Sequence, residues 1–320
     1  MSAIATPFRQ GTDEWLEARR SGIGGSDIAA IAGESPNRSA LELWAEKTGR
    51  LVREPDAETA ELFEIGHLME PPLLALYERR TGRHPRRVNR MLVHPDVPWA
   101  FASLDAQAPV RRVVEAKWTH ATRWRGEGIP DDVLFQVQWQ LFVTGWDVAD
   151  VVALVGRLPR IVEVPRDQTL IDDLYRLAVE FQGQVESDTP PKPDGSESAR
   201  QTIGRLHPQD DGTLLPATPD LVELVDLYRS AKVARVAAED AEKAIGNALR
   251  AVIRDASGID GLCTYRKNAD TTRVNWPAVA SAFRQLVTGH PDEVLDAIVG
   301  LHSETSPGSR VLRLSKGEPK

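Results

Sequence analysis

The chain has 320 residues, 41% of them hydrophobic and 27% charged, a composition that fits one large globular domain or two smaller ones. Its net charge of −8, from 39 basic and 47 acidic residues, argues against a general nucleic-acid coat protein, and no run of about 18 apolar residues offers a membrane span. The single Cys263 excludes an internal disulfide, no Cys/His cluster has zinc spacing, and the first residues show no charged-then-apolar leader, so a reduced, cytoplasmic setting is the expectation.

Residues 12–20 and 26–33 read as short helices on either side of the turn Ser21-Gly22-Ile23-Gly24-Gly25. Ser26 is the expected N-cap, because Ile28, Ala29, Ala30 and Ile31 follow at once. Helices are expected at 39–48 and 57–82, the second with Leu62, Ile65, Met69, Leu73, Leu76 and Tyr77 on one face and Gly82 as its stop. Residues 98–107 and 112–118 read as a β-hairpin turning at 108–111. A helix at 131–144 turns Leu134, Val137, Leu141 and Phe142 inward, and strands at 147–156 and 160–164 precede a helix at 167–186. This order predicts an α/β fold, a central mixed sheet flanked by helices.

Residues 187–200, rich in Pro, Ser and charge, read as a linker or exposed loop. The expected division is a domain over 1–190, a linker over 191–218 and an extension over 219–320. That extension opens with one long helix over 219–255, its seam passing through Leu224, Tyr228, Ala231, Ala234, Ala238, Ala241, Ile245, Ala248 and Val252. A hairpin at 261–267 and 271–276, helices near 277–287 and 291–301 and a strand at 310–315 complete the small α+β part. No internal repeat is present.

Charge is unevenly spread. Residues 76–126 hold 11 Lys/Arg and 4 Asp/Glu, so this window is +7 in a chain that is otherwise −15. Such a patch marks either a groove for a polyanion or a solvated arginine-rich surface.

The clearest chemical constellation is Asp105 with Glu115-Ala116-Lys117 on neighbouring strands of the expected hairpin. Glu115 and Lys117 are two residues apart, so both leave the same face of their strand. Two carboxylates and a lysine on one face of a largely buried hairpin are costly unless a metal ion or an ion pair compensates them. A lone E-x-K is more often a surface ion pair, so the surroundings decide.

Those surroundings are Trp15-Leu-Glu-Ala-Arg19, Gly22-Ile-Gly-Gly-Ser26-Asp27, Gly66-His67-Leu-Met-Glu70-Pro71, Ser103-Leu-Asp105 and Gln136-Val-Gln138-Trp139. In this order, around the Asp…Glu-x-Lys hairpin, they resemble the YqaJ-type viral recombinases and phage lambda exonuclease, within the PD-(D/E)xK nucleases. The resemblance covers about residues 8–185, and more loosely the later unit. It implies a restriction-endonuclease-like core and a metal-dependent 5′→3′ exonuclease. Such an enzyme would digest double-stranded DNA and leave 3′ single-stranded tails for an annealing partner.

By the same resemblance, Asp105, Glu115, the Ala116 carbonyl and Glu70 would ligate Mg²⁺, as two ions, with Mn²⁺ as a substitute, and Lys117 would position and activate the attacking water. Arg19, Ser26, Ser103 and Gln138 would hold the terminal 5′-phosphate of DNA. The implied partners are duplex ends, a single-strand annealing protein and further copies in a ring, with no membrane, in a bacterial host carrying a phage or prophage.

The match has departures. Gln138 is followed four residues on by Phe142 where tyrosine is common, and Gln136 by Gln140, with Gln138 the chosen residue. Asp27 and His67 are further candidates for the site. Trp118, Trp124 and Trp139 offer either base stacking or core packing. For the extension, a subunit interface, a brace for the nuclease domain, a DNA contact through Arg266, Lys267, Arg273, Arg310 and Arg313, and a partner surface all stay open. The rival readings are an endonuclease or nickase on the same core, and a DNA-end-binding protein without activity.

Overall fold

The computed structural model describes residues 3–9, 12–52, 57–124 and 128–267, with isolated positions at 276, 283 and 300–301. It divides into two units, Met1–Pro208 and Gln209–Lys320.

The first unit is built on a mixed five-stranded sheet of order β2-β5-β6-β7-β8, formed by Arg86–Arg87, Ala106–Ala108, Arg112–Thr119, Val148–Val155 and Leu158–Pro165. Strands β6 and β7 run parallel, and their neighbours pair antiparallel. Helix α5 (Asp131–Thr144) supplies the crossover that a parallel pair needs. One sheet face, through Val113, Ala149, Val151 and Ala153, packs with Ile28, Trp44, Trp139, Leu141, Ile171 and Leu174. These come from α2 (Gly25–Ile31), α3 (Ala40–Lys47), α5 and α6 (Gln168–Glu186). The other face, through Ala106, Ala108, Val114 and Val152, is covered by Leu73, Leu74 and Tyr77 of α4 (Ala57–Thr81). The expected mixed sheet between helices is therefore present. Helix α4 runs unbroken although Pro71 and Pro72 lie inside it.

The expected single strand 98–107 is two strands in two sheets. Its first part, β4 (Phe101–Ser103), joins β1 (Ile4–Arg9) and β3 (Arg90–Val93) in a three-stranded sheet, and only β5 pairs with β6. Leu104 and Asp105 form the step between them. The hairpin turn puts Val110 and Arg111 at φ 67° and 52°, in the left-handed region.

Residues 197–206, which lie inside the linker expected over 191–218, form helix α7 (Glu197–Leu206). Ser196 caps it, and the Ser198 hydroxyl bonds Ser39 at 3.0 Å and Glu42 at 2.6 Å. Helix α1 (Asp13–Arg20) is capped by Thr12.

The second unit holds helix α8 (Pro219–Ile253), of which only Ile253 is buried, and a two-stranded ladder, β9 (Gly258–Ile259) with β10 (Cys263–Thr264). The segments expected at 271–276, 277–287, 291–301 and 310–315, with Arg273, Arg310 and Arg313, lie almost wholly outside the described residues. Among the described residues no helix is long and apolar enough to cross a membrane.

Candidate active site

The glycine turn is held against β4 by backbone pairing. Ile23 donates to the Trp99 carbonyl at 2.7 Å and accepts from the Phe101 N–H at 3.0 Å. A Cβ at Gly22 would meet the Trp99 oxygen at 2.3 Å, and one at Gly24 the Phe101 ring at 2.5 Å. Only glycine permits that approach. The true N-cap of α2 is Gly24, whose N–H donates to the Asp27 carboxylate at 3.1 Å. Ser26 therefore sits inside the first turn, exposed, and its hydroxyl accepts from Arg19 at 2.9 Å. The Arg19 guanidinium lies 5.0 Å from the centre of the Trp15 ring.

A cleft of about 140 Å³ opens here, lined by Arg19, Ser26, Ser103, Gln136 and Asp105 together with Gly24, Gly25, Trp15 and Phe101. Three of the four expected phosphate-binding residues thus meet in one place. The Ser103 hydroxyl is buried and has no hydrogen-bond partner. Gln138 is the exception. It is buried on the far side of α5, donating to the Pro165 carbonyl at 2.8 Å and accepting from the Asp167 N–H at 3.0 Å. Gln136 takes its place in the cleft. The signal for it was the spacing: Gln136 and Gln140 are one turn apart on one helix face, and Gln138 is not.

Next to the cleft stand Asp105, Glu115 and Lys117. Asp105 accepts the Ala116 N–H at 2.8 Å. Glu115 is buried and accepts from Gln136 at 2.6 Å, Gln140 at 2.8 Å and Lys117 at 2.6 Å. Lys117 also donates to Gln136 at 2.9 Å. Burial and the neighbouring Glu115 charge push the Asp105 carboxyl well above the ordinary carboxylate range, and Lys117 offsets only part of that. Burial draws the Lys117 ammonium down, but Glu115 and Asp105 outweigh it and hold its pKa above the usual lysine value.

Glu70 is not drawn into this group. It lies on α4, the helix over the opposite sheet face, and Arg87 binds its carboxylate at 2.6 Å. Its charge is the smallest of the named influences on Asp105. Among the described residues no three His, Cys, Asp or Glu side chains converge tightly enough to enclose a metal ion. The donors themselves suit a hard cation. Asp105 and Glu115 are oxygen ligands whose mutual repulsion a divalent ion would relieve.

Asp27 and His67 also lie apart from the chemistry. His67 is exposed, and its Nδ1 lies 2.7 Å from the Phe63 carbonyl of its own helix. Asp27 is buried below the cleft, ion-paired to Arg38, to Lys47 at 2.9 Å and to Arg19 at 3.7 Å. Burial alone would raise its pKa, but Lys47, Arg38 and Arg19 together hold the carboxyl well below the ordinary carboxylate range. Lys47 in turn donates to the Arg19 carbonyl at 2.5 Å and to the Gly22 carbonyl.

Trp139 and Trp124 are core residues, and Trp118 is 40% exposed. The basic window is partly self-neutralised: Arg83, Arg87, Arg112, Lys117 and Arg123 each pair with an acid. Arg79, Arg86, Arg90 and Arg111 are exposed. Arg125 lies outside the described residues.

A mixed sheet carrying Asp…Glu-x-Lys beside a polar cleft defines a class of α/β protein with a paired-carboxylate site. Residues 14–147 match the YqaJ-like viral recombinase domain, and the chain belongs to that family. It is 32% identical over 217 residues to the YqaJ protein of Bacillus subtilis (strain 168), spanning 65% of this chain and 67% of that one. Among solved structures it is similar to the alkaline exonuclease LHK-Exo of Laribacter hongkongensis, at 20% identity and TM-score 0.46, over 61% of this chain and 100% of that one. LHK-Exo has also been solved with dAMP. A phage-related exonuclease of Haemophilus somnus 129PT is similar at 15% identity and TM-score 0.39, over 52% of this chain and 96% of that one.

Proposed function

We propose that the chain is a metal-dependent 5′→3′ exonuclease on linear double-stranded DNA, leaving 3′ single-stranded tails for a single-strand annealing protein. One observation carries the reading: Asp105 lines the same cleft as Arg19, Ser26 and Ser103. A terminal phosphate held by that guanidinium and those hydroxyls would lie beside the carboxylate pair. Arginine offers a bidentate fork to phosphate, and the buried, unpartnered Ser103 hydroxyl is a donor awaiting an acceptor.

Asp105, Glu115 and the Ala116 carbonyl would hold Mg²⁺, or Mn²⁺ in its place, and Glu70 would join a second ion on leaving Arg87. A bound divalent ion supplies Lewis-acid polarisation of a phosphoryl oxygen and a more acidic water. The chain's own groups do the rest. Arg19, Ser26 and Ser103 fix the end, Gln136 and Gln140 orient Glu115, and the Lys117 ammonium donates to the attacking water and steadies its developing charge. In this reading several copies encircle the duplex as a ring.

The test compares initial digestion rates of 5′-phosphate and 5′-hydroxyl linear duplex in Mg²⁺. The phosphorylated end is digested faster, and Arg19→Ala removes most of that preference while slow cleavage persists. Equal rates on both ends, or rapid cutting of closed circular DNA, would overturn the reading in favour of an endonuclease.

A further inference from the structure

Helix α8 is 35 residues long and presents an apolar seam that no described residue of its unit covers. Counting sevens from Leu224 gives Leu224, Ala231, Ala238, Ile245 and Val252. Counting sevens from Leu227 gives Leu227, Ala234, Ala241 and Ala248. These are the a and d positions of a heptad repeat, and all nine are apolar. All nine are exposed, and Leu224, Leu227, Ile245 and Val252 keep 62%, 61%, 65% and 74% of their surface. At the start of the seam a cleft of about 600 Å³ is lined by Leu227 with Ala217, Pro219, Val222 and Ser230. A seam held strictly to sevens matches another helix wound about it, not a flat sheet.

The flanking positions choose the partner and its direction. The g positions are Ser230, Ala237, Ala244 and Ala251, all small and uncharged. The e positions are Tyr228, Arg235, Glu242 and Leu249. In a parallel pair e faces g, and Arg235 and Glu242 would meet only alanine or serine. In an antiparallel pair of identical helices e faces e. Arg235 then meets the partner's Glu242, and Tyr228 meets the partner's Leu249, each contact occurring twice by symmetry. The same register stacks Ala238 on the partner's Ala241, Ala231 on the partner's Ala248, Ile245 on the partner's Ala234 and Leu227 on the partner's Val252. Large residues oppose small ones or sit at the ends, and the alanine centre lets the backbones approach. Arg235 pairs within its own helix with Glu239, and no ion pair is formed by Glu242 among the described residues.

We infer that α8 binds a second copy of this chain as an antiparallel two-helix coil, centred between Glu239 and Asp240. The contact is isologous, so it closes on itself as a pair. It is independent of the nuclease reading.

The test uses the full chain with Cys263→Ser and places cysteines at one layer, Ala231→Cys and Ala248→Cys. On one helix these positions lie about 25 Å apart and cannot bridge. The doubly substituted chain should oxidise to a covalent dimer, and either single variant should stay monomeric on a denaturing gel. Adding Ala241→Asp should cut the dimer yield at least tenfold with helix content unchanged by circular dichroism. Adding Arg235→Glu should cut it severalfold, and Arg235→Glu with Glu242→Arg should restore it. A monomeric double-cysteine chain would overturn the inference and leave residues 268–320 or another protein as the cover. Single variants that bridge to themselves would replace it with a parallel pair, and failure of the charge reversal to rescue would overturn the register.

Discussion

Asp27 and Asp105 lie in the same unit, under and beside the same cleft, and their surroundings have opposite sign. Asp27 is enclosed by Arg38, Lys47 and Arg19, which over-compensate its burial. Asp105 shares its space with Glu115, and Lys117 is the nearby cation. A buried carboxylate already neutralised by the fold is architecture, tying α1, the glycine turn, α2 and α3 together. A buried carboxylate beside a second one, short of positive charge, is a site that gains free energy when a cation arrives.

The largest effect expected from this contrast is on hydrolysis. Asp105→Ala or Glu115→Ala should leave no measurable Mg²⁺-dependent digestion, with DNA still bound in Ca²⁺. Lys117→Ala should keep metal binding and lose turnover by about 10²–10³-fold, the usual span for removing one donor that steadies developing charge. Digestion assays with parallel metal titration check both, and full activity in either carboxylate variant would remove the proposed site.

Stability should separate the two aspartates by sign. Asp27→Asn leaves the buried Lys47 without its counter-charge and Arg38 with Glu46 alone, and should cost about 3–5 kcal/mol. Asp105→Asn relieves repulsion, so in chelator it should be neutral or stabilising. Urea unfolding of both variants reads the difference.

The pH dependence follows the same signs. The depressed pKa of Asp27 gives stability that is present above its unfolded value near 3.8 and lost as pH falls through the folded value. The raised pKa of Asp105 gives stability that is complete below 3.8 and lost as pH rises through its folded value. The metal-free Asp105→Asn chain should lack that second decline.

The smallest effect is on metal-linked melting. Mg²⁺ at about 100 times its dissociation constant should stabilise the native chain by about 2.7 kcal/mol and leave Asp105→Asn nearly unmoved. An equal rise in both would place the ion elsewhere.

Much of this was legible in the sequence. Alternation and the E-x-K spacing placed Glu115 and Lys117 on one face of β6, whereas α2 is capped within the glycine run, two residues before the expected cap at Ser26. The step at Leu104–Asp105 was not legible, because a carboxylate accepting the Ala116 N–H from another strand fixes it. Gln138 was misjudged because α5 is buried on several sides, so its apolar residues define no single inward stripe. Helix α7 was hidden by the Pro- and Ser-rich run just before it, and its anchors Ser39 and Glu42 lie more than 150 residues earlier.

The two prolines within α4 divide that helix in its motions. Neither can donate an amide hydrogen, so the carbonyls of His67 and Leu68 lose their helical donors at the joint. Ahead of the joint no residue of α4 is buried; beyond it Leu73, Leu74 and Tyr77 anchor the chain to the sheet. The first half should therefore open locally while the second opens only with the sheet, giving faster amide hydrogen exchange over 58–70 than over 74–81. Glu70 is the last residue before the joint. Opening of the first half should therefore break the Glu70–Arg87 pair while the sheet stays still.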